Sequence, residues 1–183
     1  MNIRQTLGRA VAIAAAATGL AALGLTGVAS ASTTPAFSEG FHVCSIRAFD
    51  GHFLSAIDGG GRTTDVIETN RTKQSTWETF TLVPANDGAF PLHFGIMTSN
   101  GHWLTAVDGG GRTTNVILSN ATQLQTWEEF KLIGLGGDWY AIQTIDGHYL
   151  TAVNSGGIGS AVEAIHSNAT QIQAWEEFYF SCR

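Results

Sequence analysis

Asn100-Gly101-His102-Trp103-Leu104-Thr105-Ala106-Val107-Asp108-Gly109-Gly110-Gly111-Arg112-Thr113-Thr114 is one of three copies of the same stretch, and that recurrence decides the fold. The first copy reads Asp50-Gly51-His52-Phe53-Leu54-Ser55-Ala56-Ile57-Asp58-Gly59-Gly60-Gly61-Arg62-Thr63-Thr64. The third reads Asp146-Gly147-His148-Tyr149-Leu150-Thr151-Ala152-Val153-Asn154-Ser155-Gly156-Gly157. Each is followed by Trp-Glu-x-Phe, at Trp77 to Phe80, Trp127 to Phe130 and Trp175 to Phe178. The tryptophans lie 50 and 48 residues apart. A fixed period of this kind marks a repeated structural unit, with copies at about residues 41–90, 91–137 and 138–183.

Each unit predicts four short strands. In copy two, Phe94, Ile96 and Thr98 alternate with small or polar residues. Asn100-Gly101 then predicts a two-residue hairpin turn with positive φ at both positions. His102 to Val107 returns, glycines 109–111 interrupt, Val116 to Asn120 is a third strand and Glu129 to Ile133 a fourth. Apolar positions recur as Leu54, Leu104 and Leu150, as Val66, Val116 and Val162, and as Phe80, Phe130 and Phe178. No stretch beyond residue 31 has a helical apolar period, so the fold is expected to be all-β. Twelve strands in three copies predict a β-trefoil: a barrel capped by hairpins, with pseudo-threefold symmetry.

Residues 1–31 are expected to be a signal peptide. Arg4 and Arg9 open it, a 19-residue apolar run from Ala10 to Val28 follows, and Ala29-Ser30-Ala31 has the small-x-small form of a cleavage site. The run has no basic stop-transfer flank, and residues 32–183 are read as one domain. The whole chain carries 9 basic and 15 acidic residues; loss of Arg4 and Arg9 leaves seven basic residues and a charge of −8. Such a charge repels phosphate backbones and anionic lipid surfaces, so neither nucleic acid nor membrane is an expected partner. The two cysteines, Cys44 and Cys182, stand at opposite ends of the mature chain. In an exported protein they are expected to form a disulfide that makes the first and last strands neighbours.

Gly-His-Phe-Leu-Ser-Ala at 51–56, the glycine-rich turn, Asn70-Arg71-Thr72 and Trp77-Glu78-Thr79-Phe80 together resemble the fascin-like, or actin-crosslinking-like, β-trefoil superfamily in its secreted bacterial form. The resemblance covers all three units. The Gln-x-Trp triplet of ricin-type lectin trefoils is absent, and Trp-Glu-x-Phe stands in its place. The resemblance implies the fold closely and the function loosely, since its members include actin bundlers and modules attached to carbohydrate-active enzymes.

The glycine-rich turns are the leading candidate site. Asp58, Arg62 and Asp65 in copy one, and Asp108, Arg112 and Asn115 in copy two, offer hydrogen bonds to sugar hydroxyls, with Trp103 as a stacking ring. Glycine lets the backbone approach a ligand closely. The alternative is a tight loop in which Arg pairs with Asp. Copy three carries Asn154, Ile158 and Ala161 at these positions and is expected to be degenerate. The tryptophans of Trp-Glu-x-Phe are expected in the core. The pairs Glu128-Glu129 and Glu176-Glu177 are expected on a solvated strand surface. His52, His102 and His148 sit on separate hairpins, and neither a metal site nor a cofactor is expected.

Catalysis needs one converging constellation, whereas this chain repeats its polar groups, so no enzyme is expected. Repetition suits a monomeric, extracellular binding module for a polysaccharide, with avidity from two or three weak sites. Binding of actin or another protein is the alternative the resemblance allows. Protease inhibition through the connection from Pro84 to Leu92 is a lesser one.

Overall fold

Alternation of apolar and polar residues folds as expected into strands, and turn residues close them. The computed structural model describes residues 37, 40–89, 92–159 and 164–183, so the expected export signal lies outside the described residues. Copy one contributes β1 (His42–Arg47), β2 (Phe53–Ala56), β3 (Ile67–Arg71) and β4 (Thr79–Pro84). Copy two contributes β5 (His93–Met97), β6 (Trp103–Ala106), β7 (Ile117–Ala121) and β8 (Glu129–Gly136). Copy three contributes β9 (Trp139–Gln143), β10 (Tyr149–Ala152), β11 (Ile165–Ala169) and β12 (Phe178–Cys182). Among the described residues the only helical elements are short 3₁₀ turns.

Six strands close a ring. β1 pairs with β4, β4 with β5, β5 with β8, β8 with β9, β9 with β12, and β12 with β1, all antiparallel. Closure leaves no free barrel edge for another chain to pair with. The remaining strands form three hairpins, β2–β3, β6–β7 and β10–β11, each joined to the barrel by one pairing: Arg47 with Phe53, Met97 with Trp103, Gln143 with Tyr149. This is a β-trefoil. Phe80, Phe130 and Phe178 are fully buried, and Ile46, Ile96 and Ile142 are nearly so, one per copy. Each such side chain contributes about 1.5–3 kcal/mol by leaving water.

Cys44 and Cys182 are register partners on β1 and β12 and are disulfide-bonded. The expected bond joins the strands at which the described barrel begins and ends.

Two local expectations are corrected. The β5–β6 connection is a three-residue loop: Thr98 N–H donates to His102 O at 2.8 Å and Gly101 N–H to Thr98 O at 3.0 Å. Gly101 (φ 86°) takes the left-handed conformation and Asn100 does not, which is a type I turn followed by a glycine bulge. The third member of the Val66, Val116 series is Ala164, because Val153 N–H donates to Ala164 O as Ile57 does to Val66 and Val107 to Val116. Copy three has two extra residues ahead of this position, and Val162 lies outside the described residues.

Candidate functional site

The glycine-rich turns begin as joints between copies. Asp58, Gly59, Gly60 and Gly61 all have positive φ, so the chain doubles back immediately after β2. Gly61 N–H then donates to Ser119 O of copy two, Ser119 N–H returns to Arg62 O, and Arg62 N–H reaches the Ser119 hydroxyl. Copy two makes the same bonds to Ser167, through Gly111 and Arg112. Copy three makes them to Thr69, through Gly157 and Ile158. The three acceptors are fully buried.

Close approach explains the glycines. A Cβ at Gly60 would lie 2.8 Å from Asn100 Oδ1 and closer still to the Thr98 hydroxyl. One at Gly110 would collide with Asp146 and Thr144, and one at Gly156 with Asp50. Each turn therefore seats on the hairpin of the next copy. Within the turn, Arg62 binds the Asp58 carboxylate at 2.5 Å and Thr64 O at 3.1 Å, and Arg112 binds Asp108 and Thr114 O likewise. Both carboxylates stay open to solvent, at 60% and 58% exposed.

Trp77, Trp127 and Trp175 are exposed, by 38%, 46% and 45%, which corrects their expected place in the core. The physical cause is a 3₁₀ turn, Thr76–Glu78, Thr126–Glu128 and Ala174–Glu176, just ahead of the last strand of each copy. Three residues per turn swing the indole outward and the following carboxylate inward. Glu78, Glu128 and Glu176 are accordingly buried, a second correction to a solvated pair. Their carboxylates accept the N–H of Ser75, Gln125 and Gln173 at 2.7, 3.0 and 2.9 Å. Glu128 also accepts the Thr105 hydroxyl at 2.6 Å and Glu176 that of Thr151 at 2.7 Å. In copies two and three the turn is thus bolted to the hairpin, whereas in copy one the glutamate caps its own turn alone. The capping-box spacing Ser75-x-x-Glu78 was the signal available in the sequence.

These indoles stand at the glycine turns. The Cβ position of Gly59 lies 3.5 Å from Trp77, and that of Gly109 lies 3.8 Å from Trp127. In copies one and two an exposed ring thus lies against the glycine turn that carries an open carboxylate. From the next copy's hairpin Ser99 approaches the first turn and Ile145 the second. The other candidate residues lie elsewhere. Asp65 and Asn115 rim a hollow of about 230 Å³ whose floor is Val66, Val116, Ala164 and the isoleucines after them, one pair per copy. Trp103 lies across Gly95, whose Cβ position is 2.7 Å from its ring.

His52, His102 and His148 each hydrogen-bond or ion-pair with the residue two before, Asp50, Asn100 or Asp146, and so brace their own hairpins. Among the described residues one group could hold a metal ion: Asp87, His93 and Glu129, whose ligand atoms lie within 4.8 Å of one another. His93 Nδ1 sits 2.7 Å from Asp87, whose carboxyl is held below the ordinary carboxylate range chiefly by the Ala89 N–H. These three come from a connection and two different strands, so no spacing in the sequence announces them.

No protein-family model matches the sequence, and none of the curated proteins does. Solved structures do match by shape. A designed threefold symmetric protein, ThreeFoil, superimposes with TM-score 0.62 at 12% identity, over 75% of this chain and 96% of that one. The Rhizoctonia solani agglutinin gives 0.59 at 12% identity, over 80% and 99%. SeviL, solved with the asialo-GM1 saccharide, gives 0.53 at 11% identity, over 78% and 98%. Likeness at such identity is a likeness of fold, and the fold it bears out is the threefold β-trefoil.

Proposed function

We propose that the protein is an exported, non-catalytic, lectin-like module of fascin-like descent that binds polysaccharide on the paired surfaces Trp77 with Asp58 and Trp127 with Asp108. Trp175 with Asn154 is the third and weaker surface. The observation that carries the reading is the set of three exposed indoles on equivalent, internally capped turns. An indole face packs against the C–H face of a pyranose by dispersion, and a neighbouring carboxylate oxygen accepts a sugar hydroxyl. Arg62 and Arg112 fix those carboxylates in place while leaving them more than half exposed. Preorganisation of this kind lowers the ordering cost of binding. The agglutinin and saccharide-bound SeviL, which share the fold, support a glycan as the ligand. The disulfide supports export to an oxidising compartment.

A glycan array that includes insoluble polysaccharides comes first, followed by Trp77→Ala, Trp127→Ala and Trp175→Ala. Single variants are expected to weaken retention roughly tenfold through lost avidity, and the triple variant to abolish it. A triple variant retained like the parent sinks the reading, and F-actin co-sedimentation then tests a protein partner.

A further inference from the structure

The three indole surfaces differ in charge. Copy one carries Arg71 and Lys73 where copy two has Ala121 and Gln123 and copy three has Ala169 and Gln171. It also has Thr79 where the others have Glu129 and Glu177. One change opposes these, Glu68 in place of Leu118 and His166. Two added cations and one lost carboxylate, against one gained, leave residues 68–79 two charges more positive than the matching stretch of either sibling.

The geometry places those cations at the ring. Arg71, Lys73, Ser75, Thr76 and Trp77 line one hollow of about 500 Å³, with the buried Glu78 at its base. The corresponding hollow at Trp127 is about 320 Å³ and is lined by Gln125, Thr126, Trp127 and Glu128, without a cation. A second cleft shares Ser75 and Thr76 and adds Arg183. Arg71 meets Glu68 at 2.7 Å, with its side chain 45% exposed. Among the described residues Lys73 makes no ion pair, and it is exposed. The carboxylate of Glu78 is buried and accepts the Ser75 N–H at 2.7 Å. A free ammonium, a partly free guanidinium and several hydroxyls around one indole form a charged sugar's complement. On a chain of net charge −6 such a spot is also the exception.

We infer that the copy-one surface takes an acidic saccharide, its ring on Trp77 and its carboxylate or sulfate between Lys73 and Arg71. Copies two and three take neutral units of the same or another polymer. The inference rests on the glycan reading above. It makes the module selective for mixed or partly charged polysaccharides, because only such a polymer engages all surfaces together.

The test is affinity electrophoresis in four gels: polygalacturonate, its methyl ester, dextran sulfate and dextran. The parent should be retained more strongly by the acidic member of a pair than by its neutral partner. Lys73→Glu should weaken retention on the acidic polymer about tenfold at low salt, and much less near 1 M salt, where screening acts within roughly 3 Å. Lys131→Glu, the same charge change away from the hollow, should leave retention unchanged. Ala121→Arg with Gln123→Lys should raise the affinity of copy two for the acidic polymer. Retention by polygalacturonate and not by dextran sulfate identifies a carboxylate, and the reverse a sulfate. If Lys73→Glu behaves like the parent, or both lysine variants fall together, the inference fails. If the neutral polymers alone retain the parent through its indoles, the inference fails and the glycan reading stands. If no polymer retains it, both fail.

Discussion

The joint between copies two and three and the joint between copies three and one use the same backbone bonds with different side chains. Arg112 N–H meets the Ser167 hydroxyl at 3.2 Å, and Ile158 N–H meets the Thr69 hydroxyl at 3.1 Å. Gly111 and Gly157 donate to their acceptors at the same 2.7 Å. Yet copy two pairs Asp108 with Arg112, whereas copy three has Asn154 and Ile158. The clasp therefore belongs to glycine and backbone, and the Asp–Arg pair is surplus to it. The joints differ also in continuity. The chain runs on from copy two into copy three, while copies three and one meet at its two ends and are joined there by the disulfide.

That difference gives the largest expected effect. Cys44→Ser with Cys182→Ser opens a loop of 138 residues, worth about 5 kcal/mol on the chain-entropy account. Urea unfolding measures the loss. Hydrogen exchange locates it: the Gly157 amide, in the joint between copies three and one, should lose protection before the Gly61 amide. Equal loss at both would mean that the disulfide serves the whole barrel and no particular joint.

Gly110→Ala comes next. The added Cβ would collide with Asp146 and Thr144 from a backbone at φ 127°, at an expected cost of roughly 3 kcal/mol. Gly147→Ala is the control, since its φ is 93° with nothing within 4 Å of the new Cβ; about 1 kcal/mol is expected there. Similar costs at the two sites would refute the close-approach account of the glycine turns. Smaller again is Asp108→Asn with Arg112→Ile, which gives copy two the turn of copy three. An exposed ion pair contributes less than about 1 kcal/mol, so stability should hold while retention on polysaccharide drops. Lost stability instead would make the pair part of the clasp.

The copies, the strand count, the all-β class and the disulfide were legible because each rests on periodicity or on there being two cysteines. The orientation of Trp77, Trp127 and Trp175 was not. Recurrence in register beside an apolar strand points to packing, and only the 3₁₀ turn with its buried glutamate decides which residue faces water. The hairpin loop departs from its sequence pattern as well: Asn-Gly fits a two-residue turn, yet the Thr98 to His102 bond adds a residue. Asp58 and Asp108 were singled out from sequence, but their ring partners lie about twenty positions away and come close only in the fold. Asp87, His93 and Glu129 meet for the same reason.

Acid sharpens the comparison of joints with the smallest effect. The hairpin received by copy one's turn carries Asn100, which has no charge to lose, whereas that received by copy two's carries Asp146. Burial pushes the Asp146 carboxyl up, but hydrogen bonds from the Thr144 hydroxyl and from the side chain and N–H of His148 outweigh it and hold the group below its ordinary 3.8. A depressed carboxyl contributes stability that is complete above the unfolded value, and it is lost as pH falls through the folded one. Asp146→Asn should therefore be less stable than the parent near neutral pH, and the gap should close as pH drops well below 3.8. The Gly111 amide, in the joint between copies two and three, should report the change by hydrogen exchange, while the Gly61 amide stays level. A gap that is constant with pH would mean that Asp146 braces the joint by shape and hydrogen bonding alone, as Asn100 does.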